Sequence, residues 1–282
     1  MALRIEDYAL IGDCKTAALV GRDGSIDWLC WPRFDSPACF AALLGTAQHG
    51  RWLIASKNPP LAVSRRYRPG TLILETEFQT ESGSAAVVDF MAFGDGAHLL
   101  RIVVGRSGRV DFRTEFLVRF NYGSTVPWVT RLDDGATTAI AGPERVVLRT
   151  PVALHGEDLR TCGEFAVDVG ESVAFVLSHG LSFAGLPLPI DPFTTLQETE
   201  RLWRGWSDRC SDVGPWTEAV KRSLITLKAL TYAPSGGIVA AATTSLPEQL
   251  GGVRNCDYRY CWLRDATFTL QAFMHLGYYD EA

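Results

Sequence analysis

The feature that most constrains this chain is a change of hydrophobic period partway along it. Up to about Ser182 apolar and polar residues alternate in short runs, as in Thr71-Leu72-Ile73-Leu74-Glu75-Thr76-Glu77-Phe78. A period of two is that of a strand with one face buried. Further runs cover residues 85–93, 99–104, 110–120, 145–150 and 172–178. Turn residues separate them at Gly83, Gly94-Asp95-Gly96, Ser107-Gly108 and Asp133-Asp134-Gly135. Many short strands joined by tight turns predict an antiparallel β-sandwich, so the fold class is mainly β in this part. Gly12-Asp13 and Asp23-Gly24 read as turns with glycine at positive φ, which marks folding rather than phosphate binding.

The pattern breaks at Leu186-Pro187-Leu188-Pro189-Ile190-Asp191-Pro192, where prolines remove backbone donors and restrict the residues before them. Residues 193–209 then have helical composition. Pro215 suits a first helical turn, and Trp216, Val220, Leu224 and Leu227 share one helical face. Another helical pattern begins around Asp265, with Phe268, Ala272 and Leu276 as its apolar stripe. Three units follow: a sandwich over residues 1–185, a linker with a helix over 186–212, and the start of a helical domain over 213–282. Too little chain remains to cover the last helical faces, so the sequence reads as cut off within that domain, with an unstable helical tail. Self-association through the exposed helical faces is expected for such a chain.

Charge and cysteine usage narrow the function. Against 32 Asp and Glu stand 27 Lys and Arg, for a formal charge of -5, and no basic stripe tracks phosphates, so nucleic acid is not an expected partner. Glu6 and Asp7 fall where a signal peptide would carry its apolar stretch, and no run reaches membrane-spanning length; no membrane is expected, and the location reads as cytoplasmic. Seven scattered cysteines (Cys14, Cys30, Cys39, Cys162, Cys210, Cys256, Cys261) show no zinc spacing. The histidines His49, His98, His155, His179 and His275 are equally dispersed. No metal and no cofactor is expected.

The densest polar and aromatic cluster is Arg254-Asn255-Cys256-Asp257-Tyr258-Arg259-Tyr260-Cys261-Trp262-Leu263-Arg264-Asp265. Arg264 and Asp265 offer charged partners for sugar hydroxyls, and Tyr258 and Trp262 offer flat apolar surface for a sugar ring. On composition alone another account stands slightly ahead. Asp265 caps the following helix while Arg264 pairs with a neighbouring acid.

The run from Asn255 through Ala266 resembles the opening of the catalytic domain in glycoside hydrolase family 15, which holds glucoamylases, glucodextranases and bacterial trehalases. Ile5-Glu6-Asp7-Tyr8-Ala9-Leu10-Ile11-Gly12-Asp13, Gly21-Arg22-Asp23-Gly24-Ser25-Ile26-Asp27-Trp28-Leu29-Cys30 and Pro32-Arg33-Phe34-Asp35-Ser36-Pro37 are similar to the start of that family's bacterial members. The resemblance implies an N-terminal β-sandwich, a helical linker and an (α/α)6 barrel, of which this chain would hold only the first helices. It implies an inverting hydrolase of α-glucosidic bonds, in trehalose or an α-1,4-glucan. By the same resemblance Arg264 and Asp265 bind the terminal glucose, and Tyr258 and Trp262 flank the reacting ring. Cys256 stands where the family usually has Trp.

Inversion needs two well-separated carboxyl groups, one protonating the leaving oxygen and one activating water. The family's two glutamates belong to later barrel helices, and no residue up to Ala282 matches them, so no catalytic residue is assigned and the chain alone is expected to be inactive. Glu248 is the tempting local substitute, although a polar loop residue is the simpler reading. A non-catalytic carbohydrate-binding module remains the alternative, and a pure interaction domain a third.

Overall fold

A computed structural model of the chain describes residues 3–210, 214–249 and 251–282. The first part is built from β1 (Tyr8–Gly12), β2 (Ala17–Gly21), β3 (Ser25–Cys30), β4 (Ala38–Phe40), β5 (Arg51–Ser56), β6 (Ala62–Tyr67), β7 (Leu74–Gln79) and β8 (Gly83–Met91). The remainder comprises β9 (Ala97–Leu117), β10 (Trp128–Arg131), β11 (Thr137–Ala141), β12 (Glu144–Arg149), β13 (His155–Glu157), β14 (Arg160–Asp168) and β15 (Ser172–Leu181). Every pairing among them is antiparallel.

The two runs at 99–104 and 110–120 are one strand. β9 extends over 21 residues; its first half pairs with β8 and β15, its second with β5 and β14. The Ser107-Gly108 signal marks a bulge instead of a reversal. Gly108 has φ +56°, and the ladder to β8 slips by one residue between Ser84 and Ala85. The strand therefore belongs to two arms of one large antiparallel sheet. The arms share a core: Trp52, Phe112 and Phe116 from one meet Leu99, Val103, Phe175 and Leu177 from the other. Trp52 packs edge-on against both Phe116 and Phe175, at 5.5 and 6.2 Å.

Alternation along β9 explains a buried charge. Arg101 has the same parity as Leu99 and Val103, which points it into the shared core, where it is fully buried beside its cross-strand partner Asp89. Its Nε donates to Asp89 Oδ1 at 2.7 Å, Nη1 to the Trp52 carbonyl at 2.8 Å and Nη2 to the Gly24 carbonyl at 2.7 Å. Gly24 is the turn glycine expected from the sequence, at φ +85°, and a Cβ there would meet the Ile54 carbonyl oxygen at 2.1 Å. Gly12 departs from expectation: in its turn it is Cys14 that takes positive φ, +64°.

Asp13 closes that turn, with Oδ1 accepting from the backbone amides of Lys15 and Thr16, both at 2.9 Å. Its Oδ2 is buried without a partner. Burial pushes the carboxyl from 3.8 up to about 6, although the two amides pull it down. A folded-state value above the unfolded one means the folded chain holds the proton longer. Stability from this site is complete below about pH 4 and is lost as pH rises to about 6, by at most about 3 kcal/mol. Thermal melts across this window should show that fall, and Asp13→Asn should remove it. An unchanged pH profile in Asp13→Asn would assign the fall to other groups.

Residues of opposite parity on the same strands face outward. Ile73, Val88, Phe90, Leu100, Ile102 and Val176 form a second cluster against Ile190 and Leu196. Leu196 belongs to α1 (Pro192–Ser207), whose start is set by Asp191 accepting from the Thr194 amide at 2.7 Å, with proline in the first turn. Glu75, expected to face water, is buried there. Burial alone would raise its carboxyl, but hydrogen bonds from Arg66 and Arg68 hold it below the usual range. Arg68 also reaches Glu200 on α1 at 2.6 Å.

Next come α2 (Thr217–Ala229), the short strands β16 (Thr231–Tyr232), β17 (Gly237–Ile238), β18 (Thr244–Pro247) and β19 (Asn255–Asp257), and α3 (Leu263–His275). The buried faces differ in detail from the expected stripes. Trp216 lies in a separate 3-10 turn, Gly214–Trp216, and is exposed, so α2 buries Leu224, Ile225 and Ala229. α3 buries Thr269 and Phe273 and leaves Phe268 exposed. Aromatic contacts link the segment after β8 to α1 and to the turn after α3, from Phe93 to Trp203, Trp206 and then Tyr278, with ring separations of 5.0, 6.4 and 4.5 Å. Glu281 fastens the same corner, accepting from Trp206, Arg209 and Lys228. Among the described residues no helix is long and apolar enough to cross a membrane.

Candidate functional site

The cluster singled out in the sequence forms the return arm of a long irregular hairpin. Val239 bridges Cys261, the Ala240 amide donates to the Tyr260 carbonyl at 3.1 Å and the Ala241 amide to the Tyr258 carbonyl at 2.9 Å. β18 and β19 continue the ladder, with an irregularity at Ser245, which takes φ +64°. The outgoing arm is pinned to the sheet at Trp28, whose Nε1 donates to the Ala242 carbonyl at 2.7 Å. Glu248 sits exposed near the tip, as a polar loop residue would.

The hairpin delivers the chain to α3. Trp262 is the N-cap, in an extended conformation and with no capping hydrogen bond from its side chain. Helical capping therefore does not explain Asp265. Its carboxylate lies within the first turn, where the helix dipole favours an acid, and accepts from Arg264 Nη2 at 3.2 Å. The Arg264 side chain is 72 % exposed and that of Asp265 33 % exposed, so both keep polar capacity for a ligand.

Tyr258 and Trp262 stack, with ring centroids 5.9 Å apart and planes inclined by 19°. Trp262 Nε1 also reaches the Asp257 carbonyl, at 3.4 Å. The structure thus forms two adjacent pairs, one aromatic and one charged, joined by the first turn of α3. Such a surface can stack on the apolar face of a sugar ring and exchange charge-assisted hydrogen bonds with its hydroxyls.

Two residues missed by the sequence reading are Asp257 and Arg259. Arg259 is only 6 % exposed, and its guanidinium grips both Asp257 oxygens, at 2.9 and 2.7 Å. This holds the Asp257 carboxyl below the usual range. The Asp-x-Arg spacing across the end of β19 was the available signal. It was hidden because an acid beside a base normally reads as a solvated pair.

Comparison with known proteins gives the family. Residues 1–160 match the family described as Trehalase-like, N-terminal, and residues 214–282 match Glycosyl hydrolases family 15. Among curated relatives, the chain is similar to a trehalase of Mycolicibacterium smegmatis, 33 % identical, with 99 % of this chain and 46 % of the relative aligned. A trehalase of Thermoplasma volcanium is 31 % identical over 99 % of this chain and 46 % of its own length. A trehalase of Mycobacterium tuberculosis is 34 % identical over 99 % and 45 %. The chain spans about half the length of these relatives. With one match over most of the sheet and another over the segment carrying the candidate site, the chain belongs to glycosyl hydrolase family 15.

Proposed function

We propose that this chain supplies the sheet domain and the sugar-binding edge of a glycoside hydrolase that cleaves α-glucosidic bonds with inversion, with trehalose as the preferred substrate and an α-1,4-glucan as the alternative. The observation that carries the reading is the Arg264 and Asp265 pair at the start of α3, directly after the stacked Tyr258 and Trp262. In this reading the four residues hold the terminal glucose: Asp265 and Arg264 through its hydroxyls, Tyr258 and Trp262 beside its ring. The choice of trehalose is supported by relatives named trehalase at 31–34 % identity.

The organisation proposed is a sandwich over residues 1–185, a linker with α1 over 186–212, and the first helices of an (α/α)6 barrel over 213–282. Exposed Leu263, Phe268 and Met274 on α3 support packing against further helices. In the isolated chain the same side chains support self-association. The acid and base of an inverting pair lie outside these 282 residues in this reading, which leaves the chain without hydrolytic activity of its own. Free thiols at Cys14, Cys30, Cys39, Cys162, Cys256 and Cys261 support a reducing, cytoplasmic setting.

The test is glucose release from trehalose and from maltodextrin, by this chain and by a version extended with the coding sequence that follows Ala282. Activity is expected only in the extended form. Hydrolysis by the short form would place the catalytic carboxylates within it, and sugar binding without hydrolysis in either form would favour a carbohydrate-binding module.

A further inference from the structure

Four residues of the hairpin and helix start are read as meeting sugar, yet none is itself fastened to the sheet by a side-chain hydrogen bond: Trp262 bonds Asp257, and Arg264 and Asp265 bond each other. Their orientation must come from somewhere else. Arg259 lies among them in sequence and reaches the sheet domain. Its Nη1 donates to the Ser36 carbonyl at 2.9 Å and to the Tyr122 hydroxyl at 2.7 Å, with longer contacts of 3.4 Å to the Phe34 carbonyl and to Cys30 Sγ. Nε and Nη2 meanwhile hold Asp257 within the hairpin. One planar group therefore bonds the hairpin on one edge and the sheet domain on the other.

The receiving surface is preformed. Asn121, Tyr122 and Gly123 take φ of +52°, +58° and +96°, an unusual run that non-glycine residues adopt only when the surroundings enforce it. The Tyr122 amide donates to the Ala38 carbonyl, and its ring packs against Trp28, the residue that pins the outgoing hairpin arm.

We propose that Arg259 is a positioning residue: by bridging Asp257 to Ser36 and Tyr122 it sets the angle at which Tyr258, Trp262, Arg264 and Asp265 meet a glucose unit. The inference rests on the sugar-binding reading of those four residues. Arginine is required because only a fork can serve both edges at once; lysine keeps the charge and loses the bridge.

The experiment uses Arg259→Lys and Tyr122→Phe in both the 282-residue and the extended chain. Amide exchange over residues 255–265 should accelerate about tenfold in Arg259→Lys while β8, β9 and β15 stay protected, and the near-ultraviolet dichroism of the Tyr258 and Trp262 stack should weaken. In the extended chain KM for trehalose should rise about tenfold with kcat changed less than threefold, and Tyr122→Phe should move both readouts in the same direction by less. Tyr122→Phe removes one hydroxyl, so it keeps the question open to test should Arg259→Lys fail to fold. Exchange over 255–265 within twofold of wild type in both variants would overturn the inference, as would an active wild type whose KM neither variant changes. An extended wild type inactive on every α-glucoside would instead overturn the glycosidase reading, while the exchange data still decide whether Arg259 restrains the hairpin.

Discussion

Arg101→Met should lower the unfolding free energy by about 3–5 kcal/mol, a large part of the ~5–15 kcal/mol available to a domain. The substitution preserves length and apolar volume and removes five donors. It leaves the Asp89 carboxylate, fully buried, without its ion-pair partner, and the carbonyls of Trp52 and Gly24 without the donors described above. It also removes a cation 5.2 Å from the Trp52 ring. Urea denaturation gives the midpoint and slope that measure the loss. The companion variant Arg101→Met with Asp89→Leu should recover at least about 1 kcal/mol, because a well-packed apolar pair replaces the uncompensated charge. A single variant within about 1 kcal/mol of wild type would mean that the pair is energetically neutral.

The largest functional effect is expected at Asp265. In the extended chain, Asp265→Asn should cut kcat/KM for trehalose by about 100-fold or more, corresponding to ~3 kcal/mol for a charged hydrogen bond to a sugar hydroxyl. The melting temperature should fall by no more than a few degrees, since only the helix-dipole contact and the exposed pair with Arg264 are lost. Arg264→Ala should cost a comparable factor, and the two losses should be less than additive because each variant breaks the same ion pair. If Asp265→Asn kept kcat/KM within threefold, the pair would be a surface ion pair with no hold on substrate.

Legibility in the sequence tracked how local the cause was. The alternation in residues 71–78 and 172–178 is set by neighbours two positions away, and strands lie there, at Leu74–Gln79 and Ser172–Leu181. The helical composition of residues 193–209 was likewise local, and α1 covers most of it, although its start at Asp191 and Pro192 was read only as a break. Arg101 and Glu75 were opaque, because charges at strand positions look solvated unless the covering layer is known. Their burial depends on the opposite arm of the sheet and on α1. β9 was divided at Ser107-Gly108 for a related reason: a glycine signal is shared by bulges and reversals, and only the partners on either side distinguish them. The contacts of Trp203, Trp206 and Tyr278 were hidden as well, because they join positions 110 and 72 residues apart.

At the site, the residue types of Tyr258, Trp262, Arg264 and Asp265 were enough to nominate them, and the resemblance to a family gave each a role. The bridge through Arg259 was invisible, because its receivers are two backbone carbonyls and a tyrosine held in left-handed backbone 137 residues earlier. Carbonyl acceptors leave no mark in a sequence.

The continuous strand β9 has a consequence for how the chain comes apart. Its two halves have neighbours on both sides, so neither arm of the sheet can peel away without tearing a ladder that also belongs to the other. Protease nicks in the loops beyond β9 should leave the fragments associated, because both arms are laced through one backbone. Most of its pairings join distant positions, such as Ser172 with Val104 and Arg51 with Leu117, and closing them carries the loop entropy of everything between. The strand that makes the sheet one cooperative unit also makes it slow to assemble, so a newly synthesised chain has its edges unpaired until residues near 180 have emerged.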